Sequence, residues 1–266
     1  MKIIIGPQTP EHKGDTSREL LSMWEESKLC EIEYNPDASV FIWANAIGDT
    51  LLYEYPRHDL YPGLPKFWSI ALFANMQFHG YNSHPWIFWS RRPRLLEKKI
   101  NQEEIRNFKN RDIESVFLGK IENNVQYKKR TVHDWSKCLQ EYDMPIGNHL
   151  TKHKYTQEQY LDVLSRSRFG LCLSGYGPKC NREIEYFGLG VVPIFTPNVC
   201  TTYYNKLEVN KHFFLAKSPE EVKSIIKNCS EQQWEDMSSH GREWYETNCS
   251  RQGSFDTTMR ILQGHS

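Results

Sequence analysis

Arg182 and Glu185 are the pair in this sequence best placed to do chemistry. Three residues apart on a helix, they share a face. They follow the loop Gly175-Tyr176-Gly177, whose glycines let backbone come close to a ligand. A helix N-terminus presents unpaired N–H groups and a partial positive charge, which suits a phosphate. Arg182, in that first turn, can clamp a diphosphate through two parallel hydrogen bonds. Its own unfavourable interaction with the helix dipole is relieved by an anionic partner. Glu185 can accept hydrogen bonds from the hydroxyls of a ribose. The same spacing also fits an ordinary crossover helix whose Arg182–Glu185 pair is solvated.

The elements that must position these residues alternate along the chain. Strands are expected at 2–6, 31–34, 39–43, 86–89, 115–118, 169–173, 191–195 and 212–215. Helices are expected at 17–28, 67–78, 125–140, 157–165, 182–187, 219–228, 232–248 and 254–262. The charged run 97–111 reads as a surface helix or linker and marks a boundary. The expected architecture is α/β: a Rossmann-like domain over 1–110, a second over 111–249, and a C-terminal helix over 250–266. Two such domains with parallel sheets face a central cleft, where ligands of open α/β sheets bind.

Composition narrows the class. The 266 residues carry 33 Lys and Arg against 33 Asp and Glu, so the basic excess of a dedicated nucleic-acid binder is missing. Hydrophobic residues at 39% supply a packed core. Seven cysteines, an odd number with no C-x-x-C pair, fit neither a zinc ribbon nor a disulfide framework. Reduced thiols in a cytosol-like compartment are expected. The apolar run Ile3–Ile5 is too short for a signal-peptide core, and no stretch has the length of a membrane span.

The segment around Arg182 resembles the donor-binding signature of exostosin-like glycosyltransferases. Ser167, Phe169, Gly175, Arg182, Glu185, Gly190, Val192, Pro193 and Ile194 match its strand start, glycine loop, Arg-x-x-Glu and Gly-hydrophobic-Val-Pro-Ile run. Upstream, Ser115-Val-Phe-Leu-Gly-Lys120 and Arg130 look like the first strand and helix of that family's donor domain. The resemblance is specific over 116–195 and vague over the first 110 residues. It implies the two-domain GT-B fold, with acceptor bound by the first domain and nucleotide sugar by the second. It implies that Glu185 holds the donor ribose and that Lys120 and Arg130 flank the diphosphate. A solvated basic face with Lys128, Lys129 and Lys137 is the other reading of Arg130. The chain is shorter than typical members and lacks their membrane anchor, so a cytoplasmic or virus-type enzyme is expected.

No Asp-x-Asp occurs, and Asp112-Ile-Glu114 is its nearest approach. Without a metal, Lys120, Arg130, Arg182 and helix N–H groups must neutralise the leaving diphosphate. This agrees with the GT-B resemblance, in which catalysis is usually metal-independent. The family's inverting displacement needs a general base. Asp49 is the first choice, with Asp59, Glu54, Asp15 and His79 as alternatives and a helix-cap role as the plainer reading of Asp49. Tyr53, Tyr55, Tyr61, Arg57, His58, Arg91 and Arg92 are candidate acceptor contacts.

The leading expectation is an inverting transferase moving xylose, galactose or glucuronic acid from a UDP-sugar to a glycan hydroxyl. A GDP-sugar enzyme of the fucosyltransferase kind and a non-catalytic nucleotide or sugar binder are the alternatives. A Rossmann oxidoreductase is disfavoured, since Gly6-Pro-Gln-Thr-Pro-Glu stands where G-x-G-x-x-G belongs.

Overall fold

Val116 and Leu118 point to one side of their strand and Phe117 to the other, and the same alternation repeats in the neighbouring strands. Phe169, Leu171, Val192 and Ile194 join Phe117, while Cys172 and Phe195 join Val116 and Leu118. A sheet apolar on both faces must be covered on both, which is the signature of a parallel α/β layer. The computed structural model describes residues 2–5, 17–34, 40–43, 70–73, 83–102, 106–148, 150–175 and 177–263.

The N-terminal strands are β1 (Lys2–Ile5), β2 (Glu31–Tyr34), β3 (Val40–Trp43), β4 (Ile70–Phe73) and β5 (Ser83–Pro85). β1 pairs with β2, and β3, β4 and β5 pair in that order, every pairing parallel. Helix α1 (Ser17–Glu26) follows β1, and α2 (Pro93–Gln102) follows β5.

The second set begins at β6 (Ile113–Leu118), followed by α3 (Asn124–Arg130), β7 (Glu141–Asp143), α4 (Gln157–Ser165) and β8 (Ser167–Cys172). It continues through α5 (Asn181–Gly188), β9 (Val192–Phe195), β10 (Phe214–Leu215), α6 (Pro219–Asn228), α7 (Glu231–Asn248) and α8 (Arg251–Gln263). The five strands are parallel in the order β10-β9-β8-β6-β7. The order reverses beside β6, which has β7 on one flank and β8 on the other. That reversal is a topological switch point, and it opens a crevice outside the carboxyl ends of β6 and β8.

Two apolar cores flank this sheet. One holds Phe117, Phe169, Leu171, Val192, Ile194, Val222 and Trp234. The larger gathers Trp24 from α1, Trp86–Trp89, Leu96, Tyr186, Phe187, Trp244 and Phe255. Helix α8 reaches back to the N-terminal elements here. Ser254 Oγ accepts the indole N–H of Trp24 at 2.9 Å, and Thr258 Oγ1 accepts that of Trp86 at 2.8 Å. At the other end of the sheet the guanidinium of Arg111 donates to the carbonyls of Arg106, Ser167 and Leu189. It thereby pins the start of β8 to the turn after α5.

Three expected elements are corrected. The run expected as a helix over 67–78 contains the strand β4, because Ile70–Phe73 is paired on both sides; a short apolar run has no period that tells strand from helix. Trp86–Trp89 is buried irregular backbone, and the strand lies just before it at Ser83–Pro85. The expected helix over 125–140 stops at Arg130, and a single 3₁₀ turn follows at Trp135–Cys138. Thr131-Val132 is β-branched and poor at continuing a helix, and the Arg130 side chain is fastened elsewhere. The edge strand β7 lies inside no expected element.

Candidate functional site at the switch point

Leu118 ends β6, and its carbonyl is the anchor of the site. Arg182 Nε and Nη2 both donate to it, at 3.1 and 2.9 Å. The guanidinium lies 4.3 Å from the Phe117 ring centroid, in cation–π range. Its third nitrogen, Nη1, is buried and has no hydrogen-bond partner among the described residues. Gly119 makes this approach possible. A Cβ there would stand 2.7 Å from Arg182 Nη2 and 2.8 Å from the Phe117 ring.

Arg130 comes to the same place from α3. Its Nε donates to Ser174 O at 3.0 Å and its Nη1 to Lys120 O at 2.5 Å, and its guanidinium is 5.7 Å from the centroid of the same Phe117 ring. Two arginines, 4% and 8% exposed, therefore share one aromatic ring while their bonds go to neutral carbonyls. Burial lowers the pKa of Arg130, and the charge of Arg182 lowers it further. Two buried like charges this close cost free energy that an anion between them removes.

Lys120 is buried beside them with its Nζ 2.8 Å from Glu122 Oε1. That contact lowers the pKa of Glu122. His153 stands near Lys120, Arg91 and Glu122; burial and those cations lower its pKa. The loop after β8 closes the crevice. At Gly175 a Cβ would meet Cys180 Sγ at 2.9 Å and Arg130 Nη2 at 3.4 Å, so only glycine lets the loop lie this close. Gly177 is buried in the same loop, with its carbonyl 3.8 Å from that Cβ position. Ser174 Oγ is buried and unpartnered among the described residues.

Glu185, expected to hold a donor ribose, makes its bonds within the protein. It is 3% exposed and accepts three protein hydrogen bonds: Ser90 Oγ at 2.9 Å, Arg91 N at 3.0 Å and Tyr160 Oη at 2.6 Å. Burial raises its pKa. Asn181 Nδ2 adds a bond to Trp89 O at 2.8 Å, so α5 is fastened to the 86–92 segment at two points.

The crevice thus brings together Lys120, Arg130, Gly175, Gly177 and Arg182. Tyr176 lies outside the described residues. So does Asp49, together with Asp15, Tyr53, Glu54, Tyr55, Arg57, His58, Asp59, Tyr61 and His79. Among the described residues no group of three or more His, Cys, Asp or Glu side chains could hold a metal ion, and no helix is long and apolar enough to cross a membrane. Ser174, Glu183, Ser90 and Tyr160 were not singled out by sequence. Only Glu183 carried a signal, as a carboxylate three residues after the helix cap.

No family model matches the sequence, and no curated protein matches it. Similar solved structures do exist. A crystal structure of Anabaena Alr3699/HepE in complex with UDP-glucose is similar with a TM-score of 0.52 at 10% identity, over 99% of this chain and 100% of that one. Its complex with UDP and glucose gives 0.51 at 10% identity, over 99% of each chain. Its complex with UDP gives 0.50 at 10% identity, over 99% and 100%. At this identity the likeness is one of fold, and it runs along nearly the whole chain. The exostosin-like resemblance is not extended by it and rests on the 116–195 segment.

Proposed function

We propose that this chain is a nucleotide-sugar-dependent glycosyltransferase of the GT-B kind, with a UDP-sugar as donor. The observation that carries the reading is the pair Arg130 and Arg182. Both are buried at the switch point and bonded to carbonyls, and neither has a carboxylate bonded to its guanidinium among the described residues. A diphosphate supplies the missing charge and a partner for Arg182 Nη1. The fold shared with HepE, which binds UDP-glucose, UDP and glucose in its crystal structures, supports a uridine diphosphate in that place.

In this reading Arg182 and Arg130 hold the diphosphate before and during cleavage of the sugar–phosphate bond. Negative charge grows on the leaving diphosphate in the transition state, so fixed cations there stabilise it more than the ground state. Lys120 joins them by exchanging Glu122 for a phosphate oxygen. These three cations do the work a metal would otherwise do, and turnover is metal-independent. Glu185 fixes the 86–92 segment, and ribose hydroxyls reach it only by replacing Ser90 or Tyr160. Inversion at the sugar carbon, a base at Asp49 and a glycan hydroxyl as acceptor complete the proposal.

The test is calorimetric titration with UDP-glucose, UDP-xylose, UDP-galactose, UDP-glucuronic acid and GDP-fucose, each with and without chelator. Chelator-independent binding of a UDP-sugar, weakened by roughly 1.5–3 kcal/mol in Arg182→Ala, is expected. Binding of GDP-fucose alone would move the assignment to the fucosyltransferase kind. Binding without transfer to any acceptor or to water would leave a sugar-nucleotide binder.

A further inference from the structure

Glu183 caps α5 with one carboxyl oxygen, and neither that role nor the donor reading accounts for the other oxygen. It lies in the first turn of α5, between Cys180 and Arg182, and is 1% exposed. One carboxyl oxygen, Oε2, accepts the backbone N–H of Cys180. The other, Oε1, is buried and has no partner among the described residues. Arg182 lies next to it in sequence and Arg130 is within electrostatic reach, yet their bonds run to Leu118, Lys120 and Ser174 carbonyls. A carboxylate this deeply buried, with one oxygen bonded to an amide and no ion pair, is cheap to keep only as the neutral acid.

We propose that Glu183 is the proton-bearing member of the anion site: the anion binds to the form in which this carboxyl is neutral, and the bound proton is part of the complex. The inference rests on the anion reading of the crevice given above. Its logic is charge balance. Two buried guanidiniums, with Lys120 beside them, attract a diphosphate. A carboxylate beside them would cancel one of those charges and repel the ligand, whereas a carboxylic acid does neither. Its O–H also gives the orphaned oxygen a use, as a donor toward the bound anion.

Burial is the largest cause of a pKa raised to about 8 for Glu183, ahead of the opposing pull of the Cys180 amide, Arg182 and Arg130. The other titratable groups facing it are Cys180, Glu185 and Tyr186 on or next to α5, Cys172 on β8 and Tyr203 in the loop after β9. Cys180 is pushed up to about 11, and Cys172, Tyr186 and Tyr203 are raised well above their ordinary values. Glu183 is therefore the group set to lose its proton just above neutral pH. An anion beside it raises its pKa further, so binding above pH 8 takes up a proton.

The experiment compares the full chain with Glu183→Gln, the nearest mimic of the neutral acid. Affinities for UDP-glucose and, separately, inorganic sulfate are measured between about pH 7 and 9.5. Titration of the probe itself is common to both proteins and drops out of the comparison. The wild-type affinity is expected to fall toward tenfold per pH unit above the Glu183 pKa, while the Gln variant loses far less. Parallel profiles overturn the proposal. So does calorimetry of the wild type at pH 8.5 in two buffers of different ionisation heat, if sulfate binding takes up no proton. Sulfate binding with the expected pH difference, but no UDP-glucose binding, sinks the donor reading and leaves this one standing. Failure of both probes at every pH sinks both.

Discussion

Arg182 and Glu185 leave the same helix in different directions, one for a carbonyl and the other for three donors. Both stood in one motif, and the spacing rightly put them on one helix. What spacing could not show is that the helix turns Arg182 toward Leu118 at the crevice and Glu185 toward Ser90, Arg91 and Tyr160. Those partners lie 95, 94 and 25 residues away in sequence, and no local pattern announces them. The two residues should therefore separate by mutation. Arg182→Ala should lose UDP-sugar binding and turnover while staying folded. Glu185→Ala orphans three donors and should lower unfolding stability by roughly 1–3 kcal/mol for each donor left without water or a partner. Chemical denaturation with paired binding titrations checks both, and a stable Glu185→Ala with intact structure would remove its fastening role. Glu183 adds a pH effect. Its folded pKa of about 8 lies above the ordinary 4.5, so the stability it contributes is full below pH 4.5 and is lost as pH rises through 8. Unfolding free energy should decline across that window in the wild type and less in Glu183→Gln.

At the scale of elements, legibility followed the caps. The helices expected at 157–165 and 219–228 appear with those bounds, as α4 and α6. Thr156 with Gln159, and Ser218 with Pro219, write their N-terminal boundaries into the sequence. The strand β4 and the edge strand β7 carried no such punctuation. They are set by partners across the sheet, a non-local cause. The turn after β6 is the element on which the site depends most. Gly119→Ala puts a methyl group within 2.7 Å of Arg182 Nη2 and 2.8 Å of Phe117. The guanidinium must leave the Leu118 carbonyl. The expected result is weakened UDP-sugar binding with a stability cost of about 1–3 kcal/mol. A variant with unchanged affinity would show that Arg182 is not held where the site needs it.

On the scale of the whole molecule, the parallel α/β class was legible from alternation alone, because strand and helix periods differ and recur throughout the chain. The division near 110 was a reading of charge, and the one at 249 of an expected terminal helix. The route of the chain was not legible. Helix α8 follows α7 in sequence, yet it gives Ser254 to Trp24 and Thr258 to Trp86, which belong to the other end of the chain. Deleting residues 251–266 should strip two buried indoles of their partners and expose them. The expected outcome is a poorly soluble product, or one with a single lowered unfolding transition and red-shifted tryptophan fluorescence.

The return of α8 also sets a schedule for synthesis. Trp24 and Trp86 are made early and α8 late, so on the ribosome the first third of the chain has no α8 to bury them. The 113–248 region contains its own five strands and the helices α3 to α7, so most of this layer is made before α8. The N-terminal elements that carry Trp24 and Trp86 must wait for α8 to be made. Folding during translation should therefore run against the order of synthesis, with protease resistance appearing in the middle of the chain before its beginning.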